Sequence, residues 1–528
     1  MRRARRIAPT LVALVAGGLQ AVSMAVPWNG QPLWWLQLLS LALLGWQLKR
    51  CADRELSWSS STWTGNAERP STVAQAGWLG WVFGCSWLTG TFWWLYISMH
   101  TYGGLAAPLA AAAVLGLAAV LALYYAVACA IFMAILRPIP HVNSGFRAIL
   151  FAALWTTAEL ARGSWFTGFP WGAGGYAHTD GLLAGYAPWI GVYGLGAVAA
   201  WIGMTLPRLL HCGVASRVAL VFLLALPSVA QVGSAASTHA AGTLAVTLLQ
   251  GNIPQDEKFQ PGSGVPQALK WYGEQLRDAK TPLVVGPETA VPLLPQQLPE
   301  GYWAALQQRF ARGNQAALLG VPLGDITVGY TNSVVGLKPG QAEPYRYDKH
   351  HLVPFGEFIP PLFKWFTAMM NIPLGDFNRG DLGAPSFEWQ GQRLAPNICY
   401  EDLFGEELAT RFADPATAPT ILVNLSNIGW FGDTLAIDQH LQISRMRALE
   451  FERPMLRATN TGPTVFIDHR GQVTRELPRL TRGTLLGDAE GRTGLTPYAH
   501  WVSRFGLWPL WALAGVLVGL ALLVRRRN

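Results

Sequence analysis

Long apolar stretches constrain this chain more than any other feature. A bilayer core of about 30 Å asks for roughly 20 apolar residues per helix. The segments near residues 8–27, 31–48, 76–98, 105–136, 147–164, 187–207, 216–235 and 506–524 supply that length. Residues 243–503, by contrast, read as an ordinary soluble protein. The composition agrees: 51% hydrophobic and 13% charged, against about 25% charged for an average soluble domain. The chain is therefore expected to comprise a membrane domain with seven spans over residues 1–235, a polar domain over 236–503, and a C-terminal span with a basic tail over 504–528. The stretch 31–48 has an interfacial cast, because Trp34, Trp35 and Trp46 fall in it.

Arginine and lysine orient these spans. With the N-terminus inside, Arg2, Arg3, Arg5 and Arg6, then Lys49, Arg50, Arg54 and Arg69, then Arg137 and Arg147, Arg208 and Arg217, and Arg525 to Arg527 share one side. The short loops opposite carry almost none, so both termini are expected in the cytoplasm and the polar domain outside the cytoplasmic membrane. A cleaved signal peptide competes for the first span, but no small-residue cleavage site precedes Pro27 and the odd span count needs this helix. These same arginines explain the net charge of +8, so no nucleic-acid partner is implied. Of the five cysteines, Cys85 and Cys129 fall in spans, Cys51 and Cys212 in cytoplasmic loops, and Cys399 alone in the polar domain. A lone external thiol has no disulfide partner within its domain. No cysteine or histidine spacing suggests a metal.

Within 243–503, β-rich runs alternate with helical stretches. The expected strands are Gly242–Gln250, Leu283–Gly286, Ala317–Val321, Thr327–Leu337, Arg393–Cys399, Ile421–Leu425, Thr464–Asp468 and Gln472–Glu476, with helices at 265–279, 302–312, 401–412 and 436–452. Near-continuous apolar strands such as Ile421–Leu425 argue for a sheet covered on both faces, hence a layered α/β fold. Chemistry is then sought at strand ends.

Three strand ends stand out. Val284 to Ala290 runs an apolar strand into Gly-Pro and then presents Glu288, a candidate general base, although an acid here is most often a helix cap or turn residue. Tyr347 to Pro360 sets Lys349 beyond a strand and Glu357 in a Gly/Pro-punctuated loop; a lysine is ordinarily a surface residue, but apolar flanks mean a partly buried ammonium that needs a partner. Pro396 to Asp402 sets Cys399 where a strand meets the acidic start of a helix. Free cysteine is usually an inert hydrophobe, yet a helix N-terminus and a nearby lysine would make it a thiolate near neutral pH.

In this order, Glu288, Lys349 and Cys399 resemble the Glu-Lys-Cys triad of the nitrilase superfamily. The wording His-Leu-Val-Pro-Phe-Gly-Glu-Phe over 351–358 and Asn-Ile-Cys-Tyr-Glu over 397–401 resembles the membrane-bound apolipoprotein N-acyltransferase family. So do Gly251–Gln255, Ser426–Gly432, Arg445–Glu450, Arg457–Gly462, Gly494–Tyr498 and, in the membrane part, Gly168–Trp171. That resemblance implies a multi-pass helical membrane domain joined to an αββα sandwich. It also implies Glu288 as base, Lys349 as oxyanion-stabilising cation and Cys399 as nucleophile, with Glu357, Tyr400, Glu401 and Asn427 in support. Phe259 stands where relatives often carry Trp, which puts the acyl-chain contact there in question. Trp430, Trp171, Phe363, Trp365 and Met369 complete the expected lipid contacts.

The same resemblance implies an acyl transfer with no cofactor and no metal. A phospholipid, by resemblance phosphatidylethanolamine, acylates Cys399, and the thioester passes the acyl chain to the α-amino group of a diacylglyceryl apolipoprotein. A membrane-bound amidase using the same triad with water, and a transporter or receptor with an external domain, are the competing functions. The segment 360–370, rich in aromatics and methionine, reads either as a core helix or as a lipid-facing lid. Glu159 and Arg162, three apart on one span, form either a structural or a functional ion pair.

Overall fold

A computed structural model describes residues 2–59, 72–139, 141–207, 237–341, 343–359 and 377–527, with residues 214, 217–218 and 220–222. It has two compact units: one of residues 1–93, 111–235 and 507–528, the other of 94–110 and 236–506.

The first unit is helical, with Arg2–Met24, Trp34–Ser59, Thr72–Phe92, Ser144–Ser164, Ala187–Thr205, Trp508–Arg527 and most of Ala107–Leu136. Among the described residues, Ile7–Met24, Ala107–Leu136, Ala184–Thr205 and Trp508–Arg527 are long and apolar enough to cross a membrane. Helices also stand where three further spans are expected, over 34–59, 72–92 and 144–164. The expected span 216–235 lies almost wholly outside the described residues. Close packing in this unit relies on small residues: a Cβ on Gly80 would fall 2.6 Å from the Tyr125 carbonyl, and one on Gly175 would fall 2.1 Å from that of Val192.

Residues 94–110 depart from the expected boundary. They lie between two apolar helices in the chain but belong to the second unit, where Trp94 Nε1 donates to Gln439 Oε1 at 3.0 Å and its ring lies 4.4 Å from that of Phe431. A hydropathy scan cannot see this, because the segment is as aromatic as a span end.

The second unit is built on twelve strands: β1 (Thr238–Gln250), β2 (Leu283–Val285), β3 (Ala316–Asp325), β4 (Gly329–Leu337), β5 (Tyr345–Asp348), β6 (Phe387–Trp389), β7 (Gln392–Ile398), β8 (Ile421–Ser426), β9 (Met455–Thr459), β10 (Thr464–Ile467), β11 (Val473–Leu477) and β12 (Gly483–Gly494). They form two six-stranded sheets, ordered β12-β1-β2-β3-β4-β5 and β11-β10-β9-β8-β7-β6. Each has three parallel central strands, β1-β2-β3 and β7-β8-β9, flanked by antiparallel neighbours.

Side-chain alternation explains the layers. On β3, Leu318 points into the core between the sheets, where it joins Leu248, Val285, Ile398, Val423 and Leu456. Its neighbours Ala317 and Leu319 point the other way, onto Tyr272 and Leu276 of helix Gly264–Asp278 and Phe310 of helix Tyr302–Ala311. The expected αββα sandwich follows. Ile421 is fully buried in the inter-sheet core, so Ile421→Val is expected to cost about 0.5–1.5 kcal/mol. Chemical denaturation of the wild type and the variant in one detergent checks this.

The expected strands are all present, shifted by a few residues at their ends. Unforeseen are β6, β9 and β12, while β5 is the strand expected without bounds before Lys349. β5 is four residues long and carries Arg346 and Asp348, β9 buries Arg457, and β12 is an edge strand with exposed residues on one face, so none shows a clean apolar pattern. The helix expected over 401–412 is instead a 3-10 turn at Cys399–Leu403, a single turn at Gly405–Leu408 and a second 3-10 turn at Ala409–Phe412. Glu401 and Asp402 spend their carboxylates on buried partners, which turns the chain inward there.

Candidate active site

The parallel central strands deliver functional groups at their C-terminal ends, the usual location of sites in layered α/β folds. Glu288 follows β2, Cys399 follows β7 and Asn427 follows β8, while Lys349 follows the antiparallel β5.

Lys349 lies 3.7 Å from Glu288 Oε1 and 2.8 Å from Glu357 Oε2, and its side chain is 1% exposed. Burial works against its charge, but Glu357 and Glu288 more than offset that, and its pKa is raised above the ordinary lysine range. Glu288 is held on both oxygens: Oε1 accepts from Asn332 Nδ2 at 2.7 Å and Oε2 from the Asn427 backbone N–H at 2.8 Å. Glu357 accepts from Asn332 Nδ2 at 2.8 Å and from the Val353 backbone N–H at 2.8 Å. Asn332 thus ties the two carboxylates together from the middle of β4.

Cys399 is half-buried against the inter-sheet core and takes the left-handed conformation, with φ at 50°, uncommon for a non-glycine residue and often found at functional sites. Its thiol is pushed up to about 12 by burial and the Glu288 charge, against the opposing pull of Lys349. These surroundings oppose the expected thiolate: burial and the nearby carboxylate raise the thiol, and the turn that Cys399 opens is only five residues long.

The turn is fastened from below. Glu401 accepts from the backbone N–H of Ile398 at 2.6 Å and of His350 at 2.7 Å, and from Tyr347 Oη at 2.8 Å. It therefore locks the Cys399 turn to the Lys349 loop. The Cys399 carbonyl accepts from Asn424 Nδ2 at 3.1 Å and from His440 Nε2 at 3.2 Å. His440 also meets Asp402 at 2.9 Å, and Arg457 Nη2 faces its Nδ1 at 3.0 Å. Since guanidinium only donates, Nδ1 is the acceptor and Nε2 carries the hydrogen. Burial and the Arg457 charge lower the His440 pKa, in keeping with that neutral ring.

Other expected residues fall as follows. Tyr400 is buried beside Phe404, their ring centroids 5.3 Å apart. Asn427 Nδ2 donates to Gln255 Oε1 at 2.9 Å. Phe259 is half-buried, with Lys258 Nζ 5.7 Å from its ring centroid, and Trp430 lies 6.1 Å from Tyr102. Phe363, Trp365 and Met369, with the segment 360–370, lie outside the described residues.

Trp171, expected to touch lipid, is instead 3% exposed within the helical unit. Its carbonyl accepts from Arg162 Nη1 at 2.8 Å. That arginine also donates to Phe169 O at 2.6 Å and to Tyr125 Oη at 2.9 Å, and Glu159 accepts from Gly174 N at 3.1 Å. Glu159 and Arg162, 4.0 Å apart and fully buried, therefore pin the loop 169–174 to its own helix.

Sequence reasoning missed Asn332, His440, Asp402, Arg457 and Lys258. A signal existed for the first: Thr331, Asn332 and Ser333 interrupt an apolar strand with three consecutive polar residues. Among the described residues no cluster of His, Cys, Asp and Glu could hold a metal ion.

Comparison with known proteins matches residues 16–205 to the apolipoprotein N-acyltransferase N-terminal domain and residues 245–498 to the carbon-nitrogen hydrolase family. An apolipoprotein N-acyltransferase from Verminephrobacter eiseniae is 58% identical over 94% of this chain and 92% of its own. One from Ralstonia nicotianae is 47% identical over 94% of this chain and 90% of its own. One from Bordetella bronchiseptica is 43% identical over 83% of this chain and 86% of its own. At that identity over nearly the full length, the chain belongs to the apolipoprotein N-acyltransferase family, with a nitrilase-like domain following an apolar helical region.

Proposed function

We propose that this protein moves an acyl chain from a phospholipid, through a thioester on Cys399, to the α-amino group of the N-terminal diacylglyceryl cysteine of apolipoproteins. The observation that carries the reading is the group of Glu288, Lys349 and Cys399 at neighbouring strand ends in a chain whose relatives bear that acyltransferase name. In this reading residues 1–235 form a membrane domain of seven spans, 236–503 a periplasmic catalytic domain and 504–528 a last span, with both termini cytoplasmic.

In the first half-reaction Glu288 takes the thiol proton as sulfur attacks the ester carbonyl carbon. The carbonyl oxygen becomes an oxyanion that Lys349 offsets. Collapse breaks the bond to the glycerol oxygen, which leaves with the proton held by Glu288, and a lysophospholipid departs. In the second half the unprotonated amine attacks the thioester carbonyl, Glu288 takes the amine proton, and the Cys399 sulfur leaves and recovers it. The product is an amide.

The same triad with water as acceptor would make an amidase, so the acceptor is what has to be tested. Purified protein is incubated with phosphatidylethanolamine and a diacylated lipopeptide, and products are read by mass spectrometry. The expected result is acyl on the peptide amine with an equal amount of lysophospholipid. Free fatty acid with an unmodified peptide amine overturns the transfer reading.

A further inference from the structure

Lys258 lies in the turn that follows β1, with its backbone N–H bonded to Pro254 O at 2.9 Å. Its side chain runs inward, and the residue is 2% exposed. Nζ donates to the Glu288 backbone carbonyl at 3.0 Å, which among the described residues is its one hydrogen-bond acceptor. An ammonium carries three N–H groups, so two are left over in a place where water has little access. Burying a charge in this way is costly unless an anion answers it.

The titratable groups that face it are Glu288 and Cys399. Glu288 and Glu357 set two carboxylates against the single ammonium of Lys349, so that trio carries one surplus negative charge. Such a surplus opposes the negative charge that acylation must create at the sulfur and then at the ester oxygen. A protonated Lys258 brings the group to neutrality.

We propose that Lys258 is a second functional cation of the site, fixing the Glu288 turn through its backbone carbonyl and balancing the negative charge that develops at Cys399 and its acyl group. This rests on Cys399 being the nucleophile. It differs from the role given to Lys349, which both neighbouring carboxylates already pair.

Two consequences separate this from a packing role. Burial pulls Lys258 down to about 8, with the nearby Glu288 and Cys399 acting in the other direction. Loss of its proton restores the surplus negative charge, so acylation is expected to slow as pH rises through that value. Lys258→Gln keeps a donor for the Glu288 carbonyl but carries no charge, and Lys258→Arg keeps the charge with a much higher pKa.

The test measures single-turnover formation of the Cys399 thioester by the full-length protein in detergent, between pH 6 and about 10, with a phospholipid carrying a fluorescent acyl chain as probe. The expected result is an alkaline fall near pH 8 in the wild type. Lys258→Gln is expected to be slower by about 10- to 100-fold at pH 7, on the scale of losing one electrostatic contact, with that fall absent. Lys258→Arg is expected to retain most of the rate with the fall moved to higher pH. A Lys258→Gln rate within about twofold of the wild type, with the fall still present, overturns the proposal. Should the Gln variant not fold, Lys258→Arg decides alone, since an unmoved fall overturns it. Absence of any thioester in the wild type would instead sink the nucleophile assignment itself, an outcome distinct from the others.

Discussion

A Cys399→Ala variant is expected to form no acyl-enzyme and to lose transfer by about 10⁴-fold or more, as when a covalent nucleophile is removed from a cooperating set. Alanine cannot carry a thioester, and none of the neighbouring groups replaces it: Glu288 is held by Asn332 and Asn427, and Lys349 is engaged by two carboxylates. The fold should survive, because the residue is only half-buried and its turn is fastened by its carbonyl and by Glu401. A labelled acyl adduct on the purified variant, detected after incubation with labelled phospholipid, would refute the assignment.

Lys349→Met is expected to fail in two ways at once. Removing the cation that offsets an oxyanion costs about 10²- to 10³-fold in rate. It also leaves Glu288 and Glu357, each side chain 11% exposed, joined through Asn332 without the ammonium that pairs both of them. Breaking a buried pair by deleting one partner typically costs about 3–5 kcal/mol. A second change separates the two losses. Adding Glu357→Gln removes one of the stranded charges and is expected to recover part of the stability and none of the activity. Thermal unfolding in a fixed detergent, run beside the transfer assay, reads both. A Lys349→Met protein as stable as the wild type would show that the carboxylates do not depend on this ammonium.

Much of the outline was readable from the chain alone. Apolar periodicity located the strands that bury both faces, such as β8, and missed those whose pattern is broken by buried or edge charges, such as β9 with Arg457 and β12 with Glu490 and Arg492. Glu288 and Cys399 were legible because each follows a recognisable strand, and Lys349 because apolar residues flank it ahead of a Gly/Pro-punctuated loop. Lys258 and His440 were not, since they lie in a surface-like turn and a helix with nothing local to mark them, and Asn332 left only a run of three polar residues inside its strand. Trp171 erred in the other direction: an aromatic near a span end looks interfacial until its surroundings are known, and here they bury it.

The sequence by itself determined the division into apolar and polar stretches, the α/β character of the second of these, and which residues are the candidates for its chemistry. Each of these depends on a residue and its near neighbours in the chain. The tertiary structure alone decided that burial and Glu288 push up the Cys399 thiol, that Lys258 stands beside Glu288, and that residues 94–110 pack with the second unit. Those facts depend on burial and on charges brought close by folding, and electrostatic interaction in a dry interior is set by distance through space, whatever the separation along the chain.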